Sequence, residues 1–193
     1  VEHAKGSQAA DLKEFWQVGQ PTPPEGYEPS HFPTNETVSE RPEFQATAVQ
    51  AFEALEDLGR SILQAIALHL EIEESYFDEW VRGGNSILRA IHYPAIQQEP
   101  ESAVRAGQHE DINLITLLVG ASAAGLEVLR HDNQWIPITA LPEHIVVNVG
   151  DMLQRLTNHR LKSTTHRVVN PPRSEWGKPR FSMPFFCHPQ PAM

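Results

Sequence analysis

One stretch of the chain decides its fold: Gly107-Gln108-His109-Glu110-Asp111-Ile112-Asn113-Leu114-Ile115-Thr116-Leu117-Leu118. We interpret it as a β-strand, on which successive side chains alternate between two faces. His109 and Asp111 therefore project together, whereas Glu110 points away. One imidazole and one carboxylate converge on the same point. A His-x-Asp pair alone is a weak signal, because short polar pairs also occur by chance at strand edges.

Two motifs far downstream supply further groups for such a site. His166 lies within Thr164-Thr165-His166-Arg167-Val168-Val169, and Arg180-Phe181-Ser182 opens another apolar run. Two histidines and one carboxylate on one side of a metal form the facial triad of non-haem Fe(II) oxygenases. Arg180 and Ser182 share a strand face, and an arginine beside a hydroxyl is suited to binding a carboxylate at two points. Together these residues are a specific signal for such a site, although each residue alone is not.

The run from about Ile87 to Pro189 resembles the catalytic core of the isopenicillin N synthase-like branch of the 2-oxoglutarate and Fe(II)-dependent oxygenases. The resemblance implies a mainly β fold with a helical layer (α+β), in which a double-stranded β-helix, the cupin-like jelly roll, is backed by a long helix. It also implies catalytic iron held by His109, Asp111 and His166. Four further stretches carry the match: Gly125-Leu126-Glu127-Val128, Val147-Asn148-Val149-Gly150-Asp151-Met152-Leu153-Gln154, Leu156-Thr157-Asn158 and His166-Arg167-Val168.

The resemblance assigns a second group of residues to a carboxylate. In members that use 2-oxoglutarate as cosubstrate, the equivalents of Arg180, Ser182 and Tyr93 hold its far carboxylate. Many of these members carry an asparagine two residues before the tyrosine, where this chain has Ile91. Isopenicillin N synthase itself uses no 2-oxoglutarate, because its peptide thiolate binds the iron directly. Both Ile91 and the His109-Glu110-Asp111 triplet resemble that enzyme.

We therefore predict a non-haem Fe(II) oxygenase that couples O2 and the decarboxylation of 2-oxoglutarate to the oxidation of a small organic substrate. Hydroxylation is the default outcome, and desaturation or cyclisation can follow from the same chemistry. One alternative is an isopenicillin N synthase-type oxidase without 2-oxoglutarate. A more remote alternative is a metal-binding jelly roll that is not an oxygenase, since zinc accepts the same ligand types. Such a protein has no need of the Arg180-x-Ser182 pair.

Composition limits the possible partners. The chain has 193 residues with 40% hydrophobic content, which suits one domain with a sizeable core. A net charge of -10 argues against nucleic acid or an anionic membrane surface as a partner. Cys187 is the only cysteine, so no internal disulfide can form, and we expect it to be a small buried hydrophobe in a cytoplasmic protein. The oligomeric state and the identity of the substrate follow from no pattern in the sequence.

We divide the chain into a single catalytic domain with three parts. Residues 1–42 form a lead-in and a proline-rich loop, 43–81 a helical layer, and 86–189 the jelly-roll core. Compared with the family it resembles, the chain is expected to lack an N-terminal segment and a C-terminal extension. Helices are predicted over Glu43–Leu70 and Glu73–Val81 from apolar spacings of three and four. The loop is predicted from six prolines: Pro21, Pro23, Pro24, Pro29, Pro33 and Pro42.

Short strands separated by turn signals are typical of a jelly roll. Besides the strand that carries His109, we predict strands over Ser86–Pro94, Gly125–Leu129, Trp135–Ile138, Ile145–Val149, Met152–Leu156, Ser163–Val169 and Arg180–Phe186.

Rival ligands are excluded by position. Three histidines fall in predicted turns or connections, where solvent exposure is usual: His131, His144 and His159. Asp151 follows a glycine at a turn and is expected to make local hydrogen bonds. Among the arginines that compete with Arg180, which are Arg155, Arg160 and Arg167, the last neighbours His166 and should point to the opposite face.

Overall fold

We describe a computed structural model of the chain, which covers residues 9–23, 25–26, 29–139, 141 and 143–193. The first eight residues of the predicted lead-in and Pro24 of the predicted loop lie outside the described residues. No helix in the described ranges is long and apolar enough to cross a membrane.

One long helix dominates the first half of the chain. α1 spans Glu43–His69, and its buried face recurs at helical spacing from Ala48 through Phe52 and Leu55 to Leu63. The Phe52 ring meets the Phe185 ring edge-on with centroids 5.2 Å apart. The helix predicted over Glu43–Leu70 is therefore present with nearly the same bounds. The other helical segments are short: 3-10 turns at Pro29–His31, Glu74–Phe77 and Arg173–Glu175, with α2 at Asp78–Val81 and α3 at Asp151–Leu156.

The described residues form nine strands in two sheets. The strands are β1 Glu14–Gly19, β2 Ile87–Tyr93, β3 Ala106–His109, β4 Ile115–Val119, β5 Leu126–Leu129, β6 Trp135–Pro137, β7 Ile145–Val149, β8 His166–Val168 and β9 Arg180–Cys187. We call the five-stranded sheet, with order β1-β2-β9-β4-β7, the large sheet, and the four-stranded sheet, with order β3-β8-β5-β6, the small sheet. The strand pairings are antiparallel, as a jelly roll requires.

The main core lies where α1 packs on the large sheet. Phe52 and Leu63 of the helix join Leu117 and Phe185 of the sheet in one buried apolar cluster. Cys187 belongs to this cluster and is fully buried, as the sequence predicts, and burial raises the pKa of its thiol to about 12. A second, smaller cluster contains Ile91, Tyr93, Ala106 and Val168, and it joins strands of both sheets.

The predicted strand through residues 107–118 is wrong in its middle. It is two strands in different sheets, β3 and β4, with a crossing between them. Within the crossing, the carbonyls of Asp111 and Ile112 accept hydrogen bonds from the backbone N–H groups of Asp151 and Met152 at 2.8 and 3.0 Å. These contacts with a distant segment compete with regular strand pairing. The chain therefore leaves the small sheet after His109.

The strand predicted over Met152–Leu156 is also wrong, because this segment is helix α3. Gly150 precedes the helix in an extended conformation and packs so closely that an added Cβ would lie 2.1 Å from the carbonyl oxygen of Asn113. Asp151 and Arg155 then pair one helical turn apart at 2.7 Å. Leu153 is fully buried in the main core. One buried residue and an ion pair across one turn are consistent with a short helix.

Two more differences concern the first half of the chain. The predicted lead-in contains strand β1, which pairs with β2 at the edge of the large sheet. Trp16 of β1 packs edge-on against Phe44 of α1, with ring centroids 6.1 Å apart. The helix predicted over Glu73–Val81 is divided into the 3-10 turn Glu74–Phe77 and α2.

Candidate metal and carboxylate site

The two histidines of the predicted triad lie opposite each other in the small sheet. His109 ends β3, His166 begins β8, and the two residues are direct partners in the antiparallel register. Their ring centroids lie 4.3 Å apart. Side chains of directly opposed residues in such a pair project from the same face of the sheet. The sheet therefore brings both imidazoles together.

Asp111 completes the cluster from just beyond the end of β3. Its Oδ1 lies 3.9 Å from Nε2 of His109 and 3.7 Å from Nε2 of His166. The potential ligand atoms of all three residues lie within 4.8 Å of one another. The Asp111 side chain is 5% exposed, against 15% for His166 and 40% for His109. The site is therefore closed around the carboxylate and open beside His109.

Each histidine is oriented by a backbone carbonyl. Nδ1 of His109 lies 2.7 Å from the carbonyl oxygen of Gly107, and Nδ1 of His166 lies 3.0 Å from that of Thr164. A carbonyl only accepts hydrogen bonds, so Nδ1 carries the proton and Nε2 keeps its lone pair towards Asp111. Burial lowers the pKa of His109, and the neighbouring His166 lowers it further. A neutral imidazole is the form that binds metal.

The carboxylate of Asp111 is fixed by two side chains of the large sheet. Its Oδ2 accepts hydrogen bonds from Oγ1 of Thr116 at 2.6 Å and from Nδ2 of Asn148 at 2.8 Å. Thr116 on β4 and Asn148 on β7 are direct register partners. The second oxygen, Oδ1, is the one that faces the histidines. Two imidazole nitrogens and one carboxylate oxygen therefore form a donor set that fits Fe(II).

Arg180 and its neighbours form a second cluster on the large sheet. Arg180 is 1% exposed, donates from Nε to the carbonyl of Ala123 at 3.1 Å, and has Nη1 3.4 Å from Oγ of Ser182. Arg180 is the register partner of Tyr93, whose ring centroid lies 4.8 Å from the guanidinium carbon. Burial lowers the pKa of Arg180, whereas Tyr93 raises it. An arginine remains charged under such conditions.

Both clusters open into one cavity of about 410 Å³. Its lining includes the His109–Asp111–His166 cluster and the Arg180, Ser182 and Tyr93 side chains. A volume of this size accommodates a small molecule.

A family model described as the 2OG-Fe(II) oxygenase superfamily matches residues 84–189, more than half of the chain. The chain belongs to this superfamily. The matched range contains every residue of the two clusters.

Relatives of known structure agree with this membership. A protein from Caulobacter crescentus assigned to the 2OG-Fe(II) oxygenase family is 47% identical, with a TM-score of 0.86 over 98% of this chain and 61% of that one. A full-length Neurospora crassa protein, solved in complex with alpha-KG, is 37% identical, with a TM-score of 0.84 over 95% of this chain and 57% of that one. These structures place the fold among the jelly rolls of the superfamily.

A curated relative, the 2-oxoglutarate-Fe(II) type oxidoreductase hxnY of Emericella nidulans, is 35% identical over 82% of this chain. The chain spans 44% of the length of that protein.

The other residues that were considered as metal ligands or carboxylate-binding groups lie away from the two clusters, as expected. His131, His144 and His159 are exposed. Asp151 makes local hydrogen bonds to Gln154 and Arg155. Arg167 points away from the cluster, pairs with Glu127 at 2.8 Å and stacks 3.9 Å over the ring of Trp135.

Sequence reasoning missed Thr116 and Asn148, which hold the carboxylate of Asp111. Each is a polar residue inside an otherwise apolar strand, Ile115-Thr116-Leu117-Leu118 and Ile145-Val146-Val147-Asn148-Val149. A buried polar group needs a hydrogen-bond partner, so this contrast is the signal that would have identified both residues.

Arg105 was also missed. It is 1% exposed, donates to the carbonyl of Lys178 at 3.1 Å, and its guanidinium carbon lies 6.0 Å from the Tyr93 ring centroid. Burial lowers the pKa of Arg105, and the positive charge of Arg180 lowers it further. Two buried cations therefore lie beside one tyrosine.

Proposed function

We propose that the chain is the catalytic part of an Fe(II)- and 2-oxoglutarate-dependent oxygenase that oxidises a small organic molecule. The observation that carries this proposal is the single cavity shared by the histidine–aspartate cluster and the buried Arg180–Ser182 pair. Membership of the superfamily supports it, as does the likeness to the Neurospora crassa protein, whose structure contains alpha-KG.

His109, Asp111 and His166 are the proposed iron ligands. Bound Fe(II) would supply the activation of O2. In the balanced reaction, 2-oxoglutarate loses CO2 and becomes succinate, one oxygen atom of O2 enters the new succinate carboxylate, and the other enters the substrate as a hydroxyl group. The chain's own contribution is orientation. Gly107 and Thr164 fix the imidazole rings, and the large sheet fixes the carboxylate.

Arg180, Ser182 and Tyr93 are the proposed binding residues for the far carboxylate of 2-oxoglutarate. The arginine is held by Ala123 and Ser182, so its planar fork is already oriented before a ligand arrives. Its burial strengthens attraction to an anion because the local dielectric constant is low. An incoming carboxylate would also compensate the charge of a buried cation.

We place the protein in the isopenicillin N synthase-like branch, which leaves a second candidate function. Ile91 is the register partner of Ser182 and lines the cavity where many 2-oxoglutarate users carry asparagine. An oxidase whose substrate binds iron directly would tolerate an apolar residue there. We also propose a single catalytic domain in which α1 is the layer that backs the large sheet. The cytoplasmic location expected from the sequence stays a prediction.

The first test is the visible charge-transfer band of an Fe(II)–2-oxoglutarate chelate, recorded without oxygen. We expect the band in the wild-type protein and its loss in Asp111→Ala. Arg180→Lys keeps the charge but loses the planar fork, so the KM for 2-oxoglutarate should rise ~10–100-fold, the value of one or two charged hydrogen bonds. Arg155→Lys, on the exposed side of α3, is the matched control and should behave as wild type.

Two results would contradict the proposal. Iron binding without the band would favour direct ligation by the substrate. An unchanged KM in Arg180→Lys would move the carboxylate to another cation.

A further inference from the structure

A second arginine is buried near the carboxylate end of the cavity, and the proposed function gives it no role. Arg105 directly precedes β3 and is 1% exposed, like Arg180. Its neighbour Ala106 lines the cavity and packs in the same apolar cluster as Tyr93. Arg105 itself is not among the lining residues. It can therefore act on a bound ligand only at a distance or through another side chain.

Backbone groups hold Arg105 beside the strand that carries Arg180. The backbone N–H of Arg105 donates to Oδ1 of Asn170 at 3.0 Å, and its Nη2 donates to the carbonyl of Lys178 at 3.1 Å. Asn170 lies just after β8, and Lys178 lies just before β9. The side chain thus reaches from the small sheet to the segment that leads into Arg180.

Arg105 and Arg180 lie against the same aromatic ring. Their guanidinium carbons are 6.0 and 4.8 Å from the ring centroid of Tyr93, which is the range of cation–π contacts. The charge of Arg180 lowers the pKa of Arg105, so the two buried cations are close enough to repel each other. Arginines in proteins nevertheless stay protonated. This end of the site therefore carries two positive charges.

No carboxylate side chain pairs with either arginine in the described part of the chain. Arg180 donates to the carbonyl of Ala123 and has Nη1 beside the hydroxyl of Ser182. Arg105 donates to the carbonyl of Lys178, and its Nε is buried without a hydrogen-bond partner among the described residues. Neutral groups compensate buried charges only in part. An anion that binds at Arg180 would therefore relieve the repulsion between both cations.

We propose that Arg105 is a positioning residue for the cosubstrate, which adds a second positive charge to the site formed by Arg180, Ser182 and Tyr93. This inference rests on the proposed function. The contact with Arg105 would hold the Tyr93 ring, and the buried charge would attract the far carboxylate without touching it. Such a site would strongly favour a 2-oxo acid with a second carboxylate over one whose far end is uncharged.

The alternative is that Arg105 only joins two segments of the chain. Its bond to Lys178 connects the segment before β3 with the segment before β9, and such a connection needs no positive charge. Two replacements separate the roles. Arg105→Gln loses the charge but keeps an amide donor for the Lys178 carbonyl, whereas Arg105→Lys keeps the charge.

The test compares 2-oxoglutarate with 2-oxopentanoate, in which a methyl group replaces the far carboxylate. Both keep the 2-oxo acid end, so titration of the charge-transfer band with Fe(II), without oxygen, measures the affinity for each in the absence of turnover. In Arg105→Gln, the affinity for 2-oxoglutarate should fall ~10-fold, the effect of one nearby unit charge in a protein interior. The affinity for 2-oxopentanoate should change little. Arg105→Lys should remain closer to the wild type.

Arg130→Gln is the matched control, because Arg130 is exposed and pairs with Asp132. It should bind both acids as the wild type does. A melting curve of each variant separates loss of binding from loss of the fold. Arg105→Met, which is also uncharged, replaces Arg105→Gln if the latter does not fold.

Three outcomes would overturn the inference. These are an unchanged affinity of Arg105→Gln for 2-oxoglutarate, an equal loss of affinity for both acids, and an equal loss in Arg105→Lys and Arg105→Gln. The last two would leave Arg105 a structural role alone. Absence of the band from the wild-type protein with either acid would instead reject the proposed function itself.

Discussion

The two sheets contribute to the site in different ways. The small sheet supplies both imidazoles from strands of three and four residues, His166–Val168 and Ala106–His109. The large sheet supplies Arg180, Ser182 and Tyr93 from longer strands that pack on α1. His109 is 40% exposed in its side chain, whereas Arg180 is 1% exposed.

This difference separates a closed end of the site from an open one. The proposed carboxylate-binding end lies on the well-packed sheet, so its geometry is set before any ligand binds. The proposed metal-binding end is assembled from short strand pairs and from Asp111, which the large sheet holds. A site built in this way would keep the carboxylate-binding residues rigid and the metal-binding residues accessible.

The largest expected effect is on the free energy of unfolding, and it differs between the apolar clusters of the two sheets. Phe52→Ala should lower the free energy of unfolding by about 3–5 kcal/mol, because Phe52 is fully buried between α1 and the large sheet. Leu126→Ala, in the small sheet, should lower it by only about 1–2 kcal/mol, because Leu126 is partly buried. Urea unfolding of the metal-free protein measures both. Equal losses would remove the distinction between the sheets.

A smaller effect is expected where the large sheet supports the metal end. Thr116→Val and Asn148→Leu each remove one hydrogen bond from Oδ2 of Asp111. Each should weaken metal binding ~10–100-fold, as is usual for residues that orient a metal ligand. Calorimetric titration with Mn²⁺ measures this change. Thr47→Val, whose hydroxyl bonds to its own helix, is the control. Unchanged affinity would mean that Asp111 needs no such support.

The smallest effect concerns pH. Burial lowers the pKa of His188, although the charge of Asp111 opposes the shift. Below the ordinary value of 6.5, the unfolded chain takes up this proton before the folded one does. The stability of the metal-free protein is therefore full above pH 6.5 and falls as pH drops through the lowered folded-state pKa. His188→Gln should flatten this decline in urea titrations, whereas His131→Gln, at an exposed position, should not. If the stability of the wild type, His188→Gln and His131→Gln declined in parallel with pH, His188 would not be the cause of the decline.

Local patterns predicted most elements that pair regularly. β7 has the predicted bounds, Ile145–Val149, and β2 and β9 differ from prediction by only one or two residues. In these three strands alternation and turn signals agree with the tertiary structure, so local reasoning is sufficient. The motif residues His109, Asp111 and His166 also meet, as the sequence indicates. Asp111, however, reaches the cluster from the crossing beyond β3 and not by alternation along one strand.

The parts of the fold that the sequence did not predict depend on contacts between residues far apart in the chain. The break after His109 and the helix at Asp151 arise together, since each segment satisfies hydrogen bonds of the other. No pattern within a short stretch of sequence reveals hydrogen bonds between two such distant segments. The contacts of Arg89 on β2 with the rings of Phe15 on β1 and Phe186 on β9 likewise join three strands, and the sequence of one strand does not reveal them.

Because Asp111 lies in the crossing between β3 and β4, the proposed metal would also affect the stability of the fold. A metal bound by Asp111 and His166 would join two points far apart in the sequence and close a long loop of chain, much as a removable cross-link does. Unlike a covalent cross-link, such a metal would be released on unfolding, so it would stabilise the protein by binding to the folded state alone. The melting temperature would therefore depend on metal concentration. The three proposed metal ligands would then determine both the reactivity of the site and the thermal stability of the folded protein.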